Sequence, residues 1–168
     1  MKNKLLLLIL TAVALAGAAL WVTFSLRSEE AKVKRIVAEL VKLGERPASP
    51  GAAELAVKIA SIDDIFADQV EISFGRRFGL SGVYTPRSIE PLLVQYRKVF
   101  IHAAMAADDL TVTIESEDTA NAVFSCRLTG KLHRGDYIEE VRDVECRLKK
   151  LAGVWKIDRL NINEVLER

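Results

Sequence analysis

Hydrophobic positions fall into three regimes along this 168-residue chain. From Leu5 to Leu26 no charge interrupts a run dominated by Leu, Ala and Val, with Trp21 and Phe24 near its far end. Beyond it, apolar side chains first recur every three or four positions and then, from Gln69, alternate with polar ones, apart from one further helical stretch. The three patterns predict a helix apolar all round, amphipathic helices, and strands with one buried face.

The first run holds 22 residues. At a rise of about 1.5 Å per residue it makes a helix roughly 33 Å long, enough to cross the hydrocarbon core of a bilayer. Lys2 and Lys4 precede it, which keeps the short amino terminus cytoplasmic and exports the rest, although Arg27, Lys32, Lys34 and Arg35 follow closely and pull the other way. A cleaved signal peptide is the alternative, because Ala14-Leu15-Ala16 before Gly17 offers small residues where a signal peptidase reads. The apolar run continues through Leu20–Phe24, beyond any such cut and beyond the roughly 7–15 residues a signal core needs, which favours a retained anchor. The expected layout is a tail and transmembrane anchor over residues 1–27, then one extracytoplasmic domain over residues 28–168 on the periplasmic side of the cell membrane.

Val33, Ile36, Val37, Leu40 and Val41 predict an amphipathic helix stopped at Gly44. Pro47-Ala48-Ser49-Pro50-Gly51 reads as a connector in which Ser49 caps a second helix reaching about Ala60, with Ile62, Ile65 and Phe66 in a short third helical turn. Val70, Ile72 and Phe74 then alternate as a strand, and the glycines from Gly75 to Gly82 mark a turn into a short return strand. Ile89, Leu92, Leu93, Tyr96, Val99, Phe100 and Ala103 line one face of a long helix capped by Ser88, which keeps Pro91 in its first turn. Four strands follow, carrying Leu110-Val112-Ile114, Phe124-Cys126-Leu128, Val144-Cys146-Leu148 and Trp155-Ile157. Turns at Glu117-Asp118, Arg134-Gly135-Asp136 and Ala152-Gly153 predict that they pair as an antiparallel meander.

Composition narrows this picture. With 50% hydrophobic and 28% charged residues the chain supports one compact core, hence one domain. Without Lys2 and Lys4, the 24 basic residues fall one short of the 23 acidic ones. Only short basic pairs remain, Arg76-Arg77 and Lys149-Lys150, so a nucleic-acid partner is not expected.

Helices, a strand, a long helix and a meander closed by Gly153-Val154-Trp155-Lys156-Ile157-Asp158-Arg159-Leu160 resemble the nuclear transport factor 2-like superfamily, which includes ketosteroid isomerase-like and polyketide cyclase-like proteins. Ile65–Ile72 resembles the entry into that family's first strand, and Thr85-Pro86 with Ile89 the lead-in to its long helix. The resemblance covers roughly residues 30 to 165. It implies an α+β fold: an N-terminal transmembrane helix, two or three further helices, and a curved antiparallel sheet wrapped around a long helix as a cone able to hold a small apolar molecule. Isomerases of this type place a carboxylate near the end of the first strand and a tyrosine on the first helix. Here the strand end reads Ile72-Ser73-Phe74 and the helix from Glu29 to Leu43 has no Tyr, which argues against isomerase chemistry.

Candidate chemistry is sparse. Cys126 and Cys146 are the only cysteines, and a hairpin symmetric about Asp136 would set them opposite each other as a disulfide; a slip in register would leave two small buried hydrophobes. His102 and His133 are too few for a His-based metal or catalytic site, and Asp63-Asp64 and Asp108-Asp109 read as capping residues at element ends. No catalytic, cofactor or metal residue is expected. Phe66, Phe74, Tyr96, Phe100, Phe124 and Trp155 either line a pocket in the cone or fill its core, with Tyr96 offering a polar handle.

The function expected from these features is a membrane-tethered, non-catalytic interaction or assembly module. The alternative is a small apolar ligand-binding domain or cryptic enzyme using the cone. Homodimerisation through the outer sheet face would show as exposed Val123, Val141 and Leu151.

Overall fold

The computed structural model describes residues 26–49, 51–74 and 81–164. The predicted span therefore lies, except for Leu26, outside the described residues, and among those no helix is long and apolar enough to cross a membrane.

Helix α1 covers residues 26–44 and turns Val33 and Val37, both fully buried, toward the sheet. The helix α2 runs unbroken from Ala52 to Ile65, so the separate third turn expected from the sequence is simply its end. Its N-cap is Gly51, with no side-chain capping bond, and not Ser49. Strand β1 (Phe66–Phe74) follows without a loop, and β2 (Ser81–Tyr84) returns antiparallel to it.

Helix α3 (Pro86–Val99) starts three residues earlier than its apolar stripe suggests. Thr85 is the N-cap, and Ser88 completes a capping box by returning a bond to the Thr85 backbone at 2.8 Å. Pro91 consequently sits past the first turn, where its ring removes the bond that would run to the Arg87 carbonyl. The helix also ends earlier than expected. Phe100 and Ala103, placed by their spacing on the helix, belong to β3 (Phe100–Ile114), where they pair with Leu132 and Gly130 of the next strand.

Strands β4 (Thr119–Leu132), β5 (Tyr137–Leu151) and β6 (Val154–Glu164) complete a six-stranded sheet in the order β2-β1-β6-β5-β4-β3. Strands β3 to β6 form the expected antiparallel meander, but β1 joins β6 in parallel, so the sheet is mixed. Register irregularities interrupt the ladders, and two of them bear on the site. One lies between Asp108 and Thr111, where Asp109 takes φ 55°; the other sets Asp158 outside the β5–β6 register.

One apolar core fills the concave side, where α1 and α3 contribute Val33, Val37, Ile89 and Leu93 against Ala122, Val144, Leu148 and Ile157 of the sheet. A smaller cluster of Phe100, Ala103 and Leu132 closes the far end.

Candidate functional site

Three places gather chemistry-bearing side chains. The first is the cone interior. Phe66, Phe124 and Trp155 are buried in the main core, Phe74 and Tyr96 pack against it, and Phe100 belongs to the smaller cluster. Tyr96 touches both groups, with its ring centroid 4.9 Å from that of Phe100. Its hydroxyl is fully buried and has no hydrogen-bond partner among the described residues. Burial, and then the charge on Cys126, push the phenol well above its ordinary pKa.

The two thiols face the same interior but are out of step. Leu132 N–H donates to the Asp136 carbonyl at 2.8 Å and Gly135 N–H to the Leu132 carbonyl at 2.9 Å, closing a three-residue loop whose left-handed position is Gly135 at φ 101°. The hairpin is thus centred on Arg134, two residues before the Asp136 expected from the sequence. Cys126 pairs with Arg142, and Cys146 with Ala122. Four residues along a strand is roughly 13 Å, beyond the reach of a disulfide. Burial, then the Glu145 charge, pushes the Cys146 thiol up to about 12, and burial with Asp108 raises Cys126. Phenol and thiols are all protonated at neutral pH, so the interior presents neither phenolate nor thiolate.

The second place is a cleft of about 610 Å³ beside the C-terminal end of α1. Pro47, Ala48, Ala103 and Ala104 give it an apolar floor, while Lys42, Glu45, Arg46, Glu54, Lys58 and His102 supply the polar rim and back wall. The segment after α1 is held there as a short extra strand, Arg46 exchanging both backbone hydrogen bonds with Ala103 at 2.8 and 2.9 Å. Behind the floor, buried Arg97 donates to the two Glu54 carboxylate oxygens at 3.2 and 2.5 Å and to the Glu45 carbonyl at 3.2 Å. Lys58 donates to the Lys42 and Glu45 carbonyls and lies 3.4 Å from Glu54. Two cations thus satisfy carbonyls that the end of α1 leaves without helical partners. Burial raises the Glu54 pKa, but Arg97 and Lys58 outweigh it and hold the carboxyl ionised; burial, aided by Arg97, lowers that of Lys58 against the pull of Glu54. Among the described residues no carboxylate pairs with Arg46, whose guanidinium remains at the cleft.

The third is a polar groove of about 220 Å³ on the outer sheet face, lined by Glu115, Asn121, Glu145, Arg147, Arg159 and Asn161. Its arginines are held by neighbours: Arg147 by Asp158 at 3.0 and 2.6 Å, Arg159 by Glu71 at 2.8 Å. Burial raises the Asp158 pKa, but Arg147 and Lys149 bring it below the usual carboxylate value. Val123, Val141 and Leu151 are exposed.

The remaining sequence candidates are scattered. His102 sits on β3 with its ring 6.3 Å from Tyr137, not on a helix, and His133 lies in the β4–β5 turn. Asp63-Asp64 occupy the last turn of α2, and Asp108 pairs with Arg127 at 2.7 Å in the middle of β3, so neither pair is an N-cap. Among the described residues no three His, Cys, Asp or Glu side chains gather as a metal-ligand set.

A mixed, curved sheet closing over α1 and α3 is found in solved structures of diverse sequence. A protein described as nuclear transport factor 2-like with a cystatin-like fold, from Novosphingobium aromaticivorans, aligns over 89% of this chain and 90% of its own at TM-score 0.69 and 13% identity. The fold is nuclear transport factor 2-like. A superfamily protein from Salmonella enterica covers 84% of this chain and 94% of its own at TM-score 0.66 and 10% identity. The hexachlorocyclohexane dehydrochlorinase LinA-type3 of Novosphingobium barchaimii covers 83% and 88% at TM-score 0.66 and 15% identity. No family model and no curated protein sequence matches the chain. At such identities the nuclear transport factor 2-like likeness concerns the fold alone.

Proposed function

We propose that this chain is a membrane-tethered, non-catalytic, small-molecule-binding module, with residues 5–26 as its tether and the cleft beside α1 as its binding site. The ligand is a small molecule with an apolar body and one anionic end. The observation that carries the reading is the juxtaposition of an apolar floor, Ala103, Ala104, Pro47 and Ala48, with Arg46, a cation without a carboxylate partner among the described residues, in a cleft of about 610 Å³. That volume lies within the roughly 300–1,000 Å³ of ordinary ligand sites. Lys58 and Arg97 are committed to carbonyls and Glu54, so they set a positive background and leave direct contact to Arg46. A ligand site also fits the company of the fold, since one structure of this shape bears the name of a dehydrochlorinase, an enzyme acting on a small chlorinated hydrocarbon.

An NMR titration of the full-length chain in phosphatidylcholine nanodiscs tests this, using 3-phenylpropionate as probe and its neutral amide as control. Shifts confined to the amides of Arg46, Ala103 and Ala104, saturable with the carboxylate and at least about tenfold weaker with the amide or in Arg46→Ala, are expected. No saturable shift in these amides rejects the site.

A further inference from the structure

The end of the domain from which the tether departs carries an exposed apolar tip. Glu29, in the first turns of α1, accepts from the Trp155 indole N–H at 2.6 Å and pairs with Lys150 at 2.7 Å, with the Lys150 ammonium 5.1 Å from the centre of the Trp155 ring. Lys150 and Trp155 are themselves cross-strand partners, one step before Leu151 and Val154 close the β5–β6 hairpin. Ala152 at φ 49° and Gly153 at φ 82° make the turn, both exposed. Leu26 lies three residues before Glu29 on the same helical face, so it passes this tip about 4.5 Å further along the axis. Leu26 is 47% exposed, Leu151 41% and Val154 52%, an apolar surface where the sheet ends and the apolar run of residues 5–26 begins.

We propose that the β5–β6 hairpin tip, Leu151 to Val154, rests in the headgroup layer of the membrane beside the emerging tether. The inference depends on residues 5–26 being a membrane span. Its occupant is lipid because the uncharged apolar sequence continues from Leu26 of α1 for 21 residues beyond the described region, back to Leu5. The surrounding charges balance: Arg27, Lys149 and Lys156 lie near this end, but so do Asp63 and Asp64 of α2 and Glu117 and Asp118 of the neighbouring β3–β4 turn. The contact is therefore apolar insertion, not recognition of anionic lipid. It stands the domain on its β5–β6 end and points the cleft, roughly 27 Å away along α1, toward the aqueous side.

Full-length protein in phosphatidylcholine vesicles, carrying a bimane label at Val154→Cys or at Tyr137→Cys, tests this by quenching with brominated phosphatidylcholine. Tyr137 begins β5 and lies on the order of 45 Å from Leu151 along the strand. The wild-type chain put through the same labelling supplies the background from Cys126. At least about threefold stronger quenching at position 154 is expected. Equal quenching at the two positions, in protein that floats with the vesicles, overturns the docking and leaves the tether standing. Protein that does not float with the vesicles overturns tether and docking together. A label at position 154 shielded from iodide but untouched by brominated lipid means a protein contact, and that also overturns the docking.

Discussion

Cys126 faces Arg142, not Cys146, across the β4–β5 ladder. With both thiols pushed up in pKa by burial, neither is a ready thiolate for exchange, and the ladder would have to slip four residues to bring them together. Non-reducing mass spectrometry of protein prepared under oxidising conditions should recover two free thiols. Alkylation should reach half-buried Cys126 first and buried Cys146 only on unfolding. A mass two daltons lower, or a stability that falls on adding reductant, contradicts this register.

That register also shows where sequence reasoning stops. Alternation in Val144-Cys146-Leu148 states which side chains face the core, and the structure agrees. Pairing depends on where the turn centres, which was decided by the single left-handed position at Gly135. Parallel pairing of β1 with β6 left no trace at all, because period two carries no information about a strand's neighbour or direction. Phe100 and Ala103 satisfied both a helical stripe and a strand, and pairing with β4 settled the matter. The cleft was harder still, since its parts come from three elements. Arg97 gave the one available signal: it follows Leu93 by four residues on a buried stripe, where a charge requires a partner, yet nothing local points to Glu54, 43 residues away.

Tyr96 carries a hydroxyl that the fold does not satisfy. An unsatisfied buried donor typically costs about 1–3 kcal/mol, so Tyr96→Phe should raise stability by about 1 kcal/mol in the absence of ligand. The measure is the urea midpoint at an unchanged slope. A Tyr96→Phe variant that is clearly less stable would mean that the hydroxyl has a partner in solution.

The Arg97–Glu54 pair fixes α3 to α2 and, through the Glu45 carbonyl, to the end of α1. Arg97 is almost wholly enclosed, whereas Glu54 is partly open to the cleft, so removing the two partners should have unequal costs. Arg97→Leu takes the guanidinium from Glu54 and from one backbone acceptor, the Glu45 carbonyl, and should cost about 3 kcal/mol, near the lower end for breaking a buried pair. Glu54→Gln keeps a neutral acceptor and should cost about 1–2 kcal/mol. The double variant should cost less than the sum, with a coupling of about 1 kcal/mol or more in a denaturation cycle. Strict additivity would show that the two side chains do not interact.

Glu29 should make α1 sensitive to acid at its N-terminal end. Hydrogen bonding to Lys150, then Lys32 and Trp155, outweighs burial and brings its pKa down to about 2. A carboxylate depressed in the folded state binds its proton more readily once unfolded, so its stabilisation is complete above the ordinary carboxylate pKa near 4.5 and fades as pH falls toward about 2. In Glu29→Gln the same contacts no longer titrate. The variant should therefore be less stable than wild type at pH 7, by about 1 kcal/mol for a charge-assisted contact, and the two should converge between pH 4.5 and 2. Thermal unfolding across that window measures the gap. Because Trp155 donates directly to Glu29, indole fluorescence should change with the same midpoint, and a gap that stays constant with pH would show that Glu29 does not hold the helix to the hairpin.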